Sequence, residues 1–512
     1  MWPFNRSKQP EQAQAVTNTP VKRTRFGKGR NIGQKVVFRS GASSGYSEAA
    51  TSSHLTAGWA SSPLHPIQIC ERQFTTVLAR SRETSFNSDH GKRFLHLVKN
   101  NVIGPNGVSV IPQVKGLNGR DELACKALDA AWKTWGKKGN CDVTGKYTWI
   151  QLQRLAVSTV ARDGECFVRK LRGKAFGPHA FQLQLIDPTR IDVLFRQDLT
   201  NGNRVRCGIE FDEYDRVIAY YVRKDSDDIH GGYTYSSAKY HRIPADEMIH
   251  LFLPEMIDQP RGFGWMGTSL VRLHHLSSFE TAAVINARVG AAKMGFITPD
   301  PEFIEVDPDD DEPDDLPMDA EPGVFEELPA GYAFTEFNPQ YPQGEFDPFA
   351  KSILRSVATG LLVSYHSLTG DLSGANYSSL RQGALDERDV WENLQQWFID
   401  FAIEDIHQTW VEQVVLVGAA TIGKTPLRIG RVEDYKAAKY QGRRWPWVDP
   451  LKDSKASSNQ VEKNQRSLSS VIREQGNDPD EVFEEIAEDN KKLLKLGIIK
   501  EEVKPEVGGN NG

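Results

Sequence analysis

The sequence predicts an α+β fold that is predominantly helical, and three observations lead to this prediction. The chain has 512 residues, which at about 150 residues per domain corresponds to roughly three structural units. Its composition, 39% apolar and 25% charged, is typical of a protein with buried cores. Helical spacing of apolar residues dominates, whereas the two-residue alternation of strands is concentrated between about 166 and 223.

Composition and charge exclude several classes of protein. No apolar run approaches the ~18 residues of a membrane-spanning helix, and the mean hydropathy is −0.49, so we expect no membrane protein. The first ten residues lack the apolar segment of a secretory signal. The five cysteines never form a C-x-x-C pair, which argues against a disulfide scaffold or zinc ribbon and indicates a reducing compartment. A net charge of −6 is unlike that of a DNA-coating protein.

Residues 1–45 are predicted to form a flexible basic arm. Positions 1–40 carry nine Lys and Arg residues against a single acid, Glu11, with Gly, Ser, Thr and Gln between them. Two interpretations remain open. The arm is a solvated tail, or it is an electrostatic contact for nucleic acid or an acidic partner during assembly.

Helical spacing predicts helices within 91–138 and over 149–162, and strands follow up to about residue 223. The strands are separated by turns such as Asp187-Pro188. The segment Asp163-Gly164-Glu165 holds two carboxylates, but its position at the start of a strand favours a turn over a catalytic pair.

Two helices, predicted over 267–295 and 347–366, flank a segment rich in proline, glycine and acid. The first would be about 40 Å long, and its small residues suit close packing against another helix. Its adjacent histidines, His274 and His275, point apart on a helix, so we expect no metal site there. The acidic run at 307–315 is interrupted by prolines, which predicts an exposed loop.

A turn-rich loop then leads into a helix predicted over 378–417, near 60 Å long at ~1.5 Å per residue. Its packing seam is predicted from Trp391, Leu394, Phe398 and Phe401. Rods of this length favour an assembled ring or tube over a compact enzyme. The last helix is predicted to begin at Asp478-Pro479 and to end at Gly497, with a disordered tail over 504–512.

The octapeptide from Gly418 to Thr425 fits the phosphate-binding pattern G-x-x-x-x-G-K-[ST] of P-loop NTPases. Its context argues against this function. Pro426 disfavours a helix at the Lys424-Thr425 end, and too few residues remain for the strand–helix units of a nucleotide-binding sheet. We therefore interpret Gly418 and Gly423 as the end of the long helix and a turn of the chain. No other catalytic, metal or cofactor pattern is present in the sequence, so we expect no enzyme and no cofactor.

An ordered succession of short motifs resembles the lambda-type portal proteins of tailed phages, from about Arg93 to Gly497. The motifs are Lys99–Gly107, Asp163–Glu165, Leu183–Pro188, Arg242–Ala245, Ile249–Phe252, Arg261–Gly262, Asn376–Arg381 and Trp447–Asp453. The proline-rich acidic insertion at 307–317 departs from the family pattern.

The resemblance implies a portal fold around a ring channel. The implied regions are the wing at 46–266, the stem helices at 267–295 and 347–366, the clip at 296–346, the tunnel loop at 367–377, the long wing helix with its turn at 378–429, and the crown side at 430–503. It also implies a head-tail connector, a ring of usually twelve subunits at one capsid vertex, through which double-stranded DNA is packaged and ejected. The implied partners are the terminase large subunit, which hydrolyses the ATP, the major capsid and scaffold or protease proteins, and head-completion or tail proteins. The implied location is the virion, with assembly in the host cytoplasm.

Site residues follow from this mapping. The predicted tunnel loop consists of Thr369, Gly370, Asp371, Leu372, Ser373, Gly374, Ala375, Asn376 and Tyr377. Predicted terminase contacts in the clip are Asp309, Asp310, Asp311, Asp314 and Asp315. Lys293 is assigned to the channel and Arg288 to an inter-subunit ion pair, with solvation of both as the alternative. Two other functions remain to be tested: a P-loop packaging ATPase using Lys424, and a soluble nucleic-acid-binding protein acting through its basic arm.

Overall fold

In a computed structural model, the described residues are 63–116, 119–223, 240–291, 295–299, 332–336, 346–445, 450–475, 477 and 479–496. Helices dominate this part of the chain, as the sequence predicts. The α-helices are α1 Pro66–Asn87, α2 Asp89–Val98, α3 Glu122–Trp135, α4 Trp149–Asp163, α5 Leu270–Ala291, α6 Phe346–Gly360, α7 Tyr365–Thr369, α8 Tyr377–Phe398, α9 Glu404–Leu416, α10 Val432–Tyr435, α11 Pro450–Glu462, α12 Leu468–Glu474 and α13 Pro479–Lys495.

The described strands form small antiparallel sheets. They are β1 Ser109–Pro112, β2 Lys115–Gly116, β3 Gly119–Arg120, β4 Glu165–Arg172, β5 Phe181–Ile186, β6 Gln197–Asp198, β7 Arg204–Arg206, β8 Ile209–Phe211, β9 Val217–Arg223, β10 Tyr240–Pro244, β11 Met248–Phe252, β12 Gly295–Pro299, β13 Tyr332–Glu336, β14 Thr421–Ile422, β15 Thr425–Pro426 and β16 Ala438–Gln441. The larger sheets have the strand orders β10-β9-β8-β7-β6 and β11-β4-β5. The predicted α+β class is confirmed.

The main core contains a cluster of tryptophans that joins α3, α4 and α9. The Trp132 ring centroid lies 4.7 Å from that of Trp135 and 4.9 Å from that of Trp410. The indole of Trp135 donates a hydrogen bond to the Phe181 carbonyl of β5 over 2.9 Å. Helix α9 is therefore packed directly on α3 and α4, next to β5.

The helix predicted over 378–417 runs from Tyr377 to Leu416, but a π-helical segment, Ile399–Ile403, separates α8 from α9. This segment makes one part of the predicted seam wrong. Trp391 and Phe398 are buried as predicted, whereas Phe401 is 58% exposed. A π turn holds an extra residue, so the buried face moves to Ala402 and Ile403 in place of Phe401.

Two further helices differ from the prediction. The helix predicted over 347–366 ends at Gly360. A Cβ atom on this residue would lie 2.8 Å from the Ser269 hydroxyl just before α5, so the two chain segments approach closely there. Leu362, with φ of 55°, then reverses the chain into the short α7. Helix α1 was not predicted, although Cys70, Phe74 and Leu78 lie buried at four-residue spacing on one face.

Candidate functional site

The candidate site begins with two helices, α5 and α6, that pack antiparallel. Leu276 of α5 is buried against Ala350 and Leu354 of α6. At one end the Ser269 hydroxyl donates to the Val357 carbonyl over 3.3 Å, and at the other the Phe279 ring stacks on Phe346 with centroids 5.3 Å apart. Helix α5 covers 270–291 of the predicted 267–295, so the predicted stem pair is two helices of unequal length.

Large apolar side chains remain exposed on these two helices, among polar ones such as Arg272 and Thr281. Val271, Val284 and Ile285 of α5 are 57%, 60% and 54% exposed, and Phe349 of α6 is 51% exposed. Arg288, the predicted inter-subunit residue, is exposed near the end of α5, and Lys293, the predicted channel cation, lies outside the described residues. These exposed apolar side chains suit a surface that another protein covers.

Beyond α5 the chain continues as β12, which pairs antiparallel with β13 from Gly295 opposite Glu336 to Pro299 opposite Tyr332. These strands belong to the predicted clip. The predicted terminase contacts lie outside the described residues: Asp309, Asp310, Asp311, Asp314 and Asp315.

The predicted tunnel loop lies between α7 and α8. Thr369 is the last residue of α7, and Tyr377 is the first residue of α8. Gly370 adopts a left-handed conformation, with φ of 77°, that ends α7. Asn376 caps α8, since its side-chain oxygen accepts from the Ser379 amide over 2.8 Å. The exposed tip carries Leu372, at 62% exposure, followed by Ser373, Gly374 and Ala375.

Asp371 is anchored to the helices rather than directed freely into solvent. Its carboxylate accepts from the Ser373 amide over 2.8 Å and from the Tyr365 hydroxyl over 3.0 Å. The Lys351 ammonium of α6 lies 3.8 Å away. The hydrogen bonds from Ser373 and Tyr365, together with Lys351, lower the pKa of Asp371 to about 2. The loop therefore carries an ionised carboxylate whose charge is shared with α6, a partnership that the sequence prediction missed.

A buried carboxylate in α8 holds α7, the helix before the loop, in place. Glu387 accepts from the Ser367 hydroxyl over 2.8 Å and from the Ser364 amide over 3.3 Å. The indole of Trp391, one turn along α8, donates to the same carboxylate over 3.3 Å. Helix α7 is thus fixed to α8, and the loop between them projects from a rigid base.

Four of the short sequence motifs meet in one buried network next to the start of α5. Arg261 is fully buried and its guanidinium donates to the Glu165 carboxylate from Nε over 2.7 Å. It also donates to three backbone carbonyls, those of Pro188, Ile191 and Cys207, over 3.0 to 3.1 Å. Burial alone would raise the pKa of Glu165, but the charge of Arg261 and a hydrogen bond from His250 lower it below its usual value.

Two glycines of this network, Gly164 and Gly262, allow two backbone segments to approach closely. Gly164 has φ of 96°, and a Cβ atom on Gly262 would lie 2.1 Å from the Gly164 carbonyl oxygen. The preceding Asp163 pairs with Arg82 of α1 over 2.7 Å. The turn predicted at Asp163-Gly164-Glu165 is confirmed, and its carboxylates fasten α1, β4 and the chain before α5 together.

The octapeptide with the P-loop pattern has a different structure. Residues of β14 and β15 form a hairpin in which Thr421 pairs with Pro426 and Ile422 with Thr425. Gly418 and Gly423 both have positive φ, 70° and 62°, so they end the helix and form the turn, as predicted. A P-loop opens a helix at its Lys-Thr end, but here Thr425 and Pro426 form the second strand of the hairpin.

The described residues contain no group of three or more His, Cys, Asp or Glu side chains arranged to hold a metal ion. None of their helices combines the length and apolarity needed to cross a membrane.

Comparison with known proteins gives consistent results. The family model described as "Phage portal protein, lambda family" matches residues 52–395. The chain is 37% identical over 436 residues to the probable portal protein of Halomonas phage phiHAP-1, covering 83% of this chain and 81% of that protein. It is 22% identical to portal protein B of Escherichia phage lambda, covering 68% and 70%.

Solved structures were compared as well. The neck of a native gene transfer agent (GTA) particle, computed with C12 symmetry, matches with a TM-score of 0.40 and 13% identity, covering 80% of this chain and 94% of that chain. The neck of an empty GTA particle, computed with C6 symmetry, matches with a TM-score of 0.42 and 14% identity, covering 83% and 98%.

Proposed function

The chain belongs to the lambda family of phage portal proteins, so its function is that of the portal at the DNA-packaging vertex, and we propose that it acts as a closed ring of about twelve copies. The proposal rests on one observation in particular. The stem helices leave large apolar side chains exposed, namely Val271, Val284, Ile285 and Phe349. In a ring, neighbouring copies would cover these side chains, which removes their apolar surface from water.

The tunnel loop is proposed to line the narrow part of the channel through which double-stranded DNA passes. Its tip offers backbone groups and the hydroxyl of Ser373, while Asp371 supplies a negative charge partly offset by Lys351. Neutral and weakly negative groups contact phosphates without the strong, salt-dependent attachment that arginines produce. This composition suits sliding rather than binding.

The clip is proposed to dock the terminase large subunit during packaging and head-completion or tail proteins afterwards. Support comes from the chain order, since β12 and β13 enclose the acidic segment between the two stem helices. Replacing Asp309, Asp310, Asp311, Asp314 and Asp315 with Ser should weaken motor docking while rings still form. Unchanged packaging with this variant would show that the acidic segment has no docking role.

Hydrolysis of ATP is assigned to the docked terminase, and this chain is proposed to have no enzymatic activity. The hairpin at Gly418–Thr425 supports this, because it lacks the strand–loop–helix geometry that a P-loop requires. Nucleotide titration of wild type and of Lys424→Ala should give the same result, no saturable binding. Binding that disappears in Lys424→Ala would favour the ATPase instead.

The proposed location is the portal vertex of the virion, with contacts to the capsid and scaffold proteins during assembly in the host cytoplasm. Negative-stain imaging of the purified chain tests the proposal directly. Rings with a central channel are the expected result. Monodisperse monomers at all concentrations would refute the ring, and DNA binding that is abolished by removal of residues 1–45 would favour the nucleic-acid-binding alternative.

A further inference from the structure

A cavity of about 300 Å³ lies in the wing region, where the two larger sheets meet. Its floor is apolar and consists of Ile186, Val222 and Ile243, all buried. Its walls carry three arginines, Arg169, Arg190 and Arg223, together with His241 and Gln184. The lining contains no acidic side chain, although the whole chain has a net charge of −6.

The sheet register brings these side chains to one face. Arg169 of β4 lies directly opposite Gln184 of β5, and Val222 of β9 lies directly opposite His241 of β10. Directly opposite residues on antiparallel strands point to the same side. Arg169 and His241 therefore come from different sheets and line the same cavity.

Arg190 connects the two sheets from the 3₁₀ turn Pro188–Arg190 that follows β5. Its Nη2 donates to the Arg223 carbonyl at the end of β9 over 2.8 Å. Its Nε is buried and has no hydrogen-bond partner among the described residues. This Nε is enclosed by protein, so an oxyanion in the cavity would accept from the Nη groups of the guanidinium instead.

Arg169 has the same incomplete pattern. Its Nη2 donates to Glu247 over 3.0 Å, which offsets part of its charge, but its Nε is buried without a partner in the described part of the chain. Arg169, Arg190 and Arg223 thus border the same cavity from β4, from the 3₁₀ turn and from the end of β9. Guanidinium groups arriving from several directions match the oxygens of a phosphate better than a single planar carboxylate.

We propose that this cavity binds a phosphate group, as a site separate from the channel and beyond the portal function proposed above. The cavity has space for the molecule that carries the phosphate, whose apolar part would lie on Ile186, Val222 and Ile243. The phosphate comes either from DNA that reaches the wing or from a free phosphate compound in solution.

The test is isothermal titration calorimetry of the full-length protein at constant ionic strength, with inorganic phosphate in one arm and a short double-stranded DNA in the other. Acetate serves as the anion control. We expect saturable binding in at least one arm, weakened about tenfold in Arg190→Gln and in Arg223→Gln, since each removes a charged hydrogen-bond donor. The matched control is Arg172→Gln, which lies on β4 outside the cavity and pairs with Asp246.

The two arms distinguish the sources of the phosphate. Binding of DNA alone assigns the site to the DNA backbone, and binding of inorganic phosphate assigns it to a free phosphate compound. Equal heats with acetate, or an equal loss in Arg172→Gln, would overturn the proposal. It would also be overturned if wild type bound neither probe. Thermal unfolding of each variant verifies that it folds.

Discussion

Replacing Arg261 with methionine should destabilise the protein strongly, because it removes one side of a buried ion pair. Methionine has a similar length but no charge, so the substitution leaves Glu165 buried with only His250 and the Gly262 amide as partners. It also leaves the carbonyls of Ile191 and Cys207 without the donor they have here. Breaking a buried pair in this way costs about 3–5 kcal/mol.

Two structural details place the loss within that range. The guanidinium also lies 4.6 Å from the centre of the Phe74 ring of α1, so the variant loses a cation–π contact as well. Methionine retains the apolar packing against this ring, which offsets part of the loss. We therefore expect the free energy of unfolding to fall by about 4 kcal/mol.

Urea denaturation followed by tryptophan fluorescence, at one fixed protein concentration, measures this effect. The matched control is Arg172→Met, whose pair with Asp246 is exposed and should contribute less than about 1 kcal/mol. A double variant, Arg261→Met with Glu165→Leu, should recover part of the stability, since it removes the uncompensated charge. A loss for Arg261→Met no larger than the control would refute the role assigned to this network.

Three further predictions concern the core, the loop and the stem. Burial lowers the pKa of His407 to about 4, below its unfolded value of about 6.5, so the stability that neutral His407 contributes is complete above pH 6.5 and falls by roughly 3 kcal/mol as the pH decreases to 4. Urea midpoints across this range should fall less steeply in His407→Gln, and an unchanged slope would contradict the assignment. Deleting 371–374 should leave rings intact but reduce retention of packaged DNA, and infectious heads at normal yield would exclude a DNA-handling role. Arg288→Ala should lower the urea concentration at which rings dissociate, whereas an unchanged midpoint would leave Arg288 merely solvated.

The sequence predicts α5 and the helix that runs through α8 and α9 well because their apolar spacing extends over many turns, whereas α1, which is as long as α5, was not predicted. It predicts the turn at Asp163-Gly164-Glu165, and the helix end and chain turn at Gly418 and Gly423, because glycine and proline restrict the backbone locally. The exposure of Phe401 could not be predicted, since nothing in the local pattern marks a π turn. The partnership of Asp371 with Lys351 was missed for a different reason. It joins residues of separate helices, and such a contact depends on how the helices pack.

The cationic cavity was also beyond sequence reasoning. Arg169, Arg190 and Arg223 are distant in the chain, and no local motif marks them. The packing of the two sheets around Ile186, Val222 and Ile243 brings them together. Local patterns identify elements, but clusters assembled from several strands become visible only in the tertiary structure.

The π-helical segment Ile399–Ile403 lets the continuous helix formed by α8 and α9 pack against two different parts of the molecule. An additional residue in a helix rotates everything after it by about 100° and lengthens the rod by only about 1.5 Å. Helix α8 can therefore orient itself to the loop and stem, while α9 orients Trp410 to the tryptophan cluster. The rotation of α8 about the helix axis is in this way set separately from that of α9. Sequence changes in α8 next to the loop therefore need not disturb the packing of α9 in the tryptophan cluster.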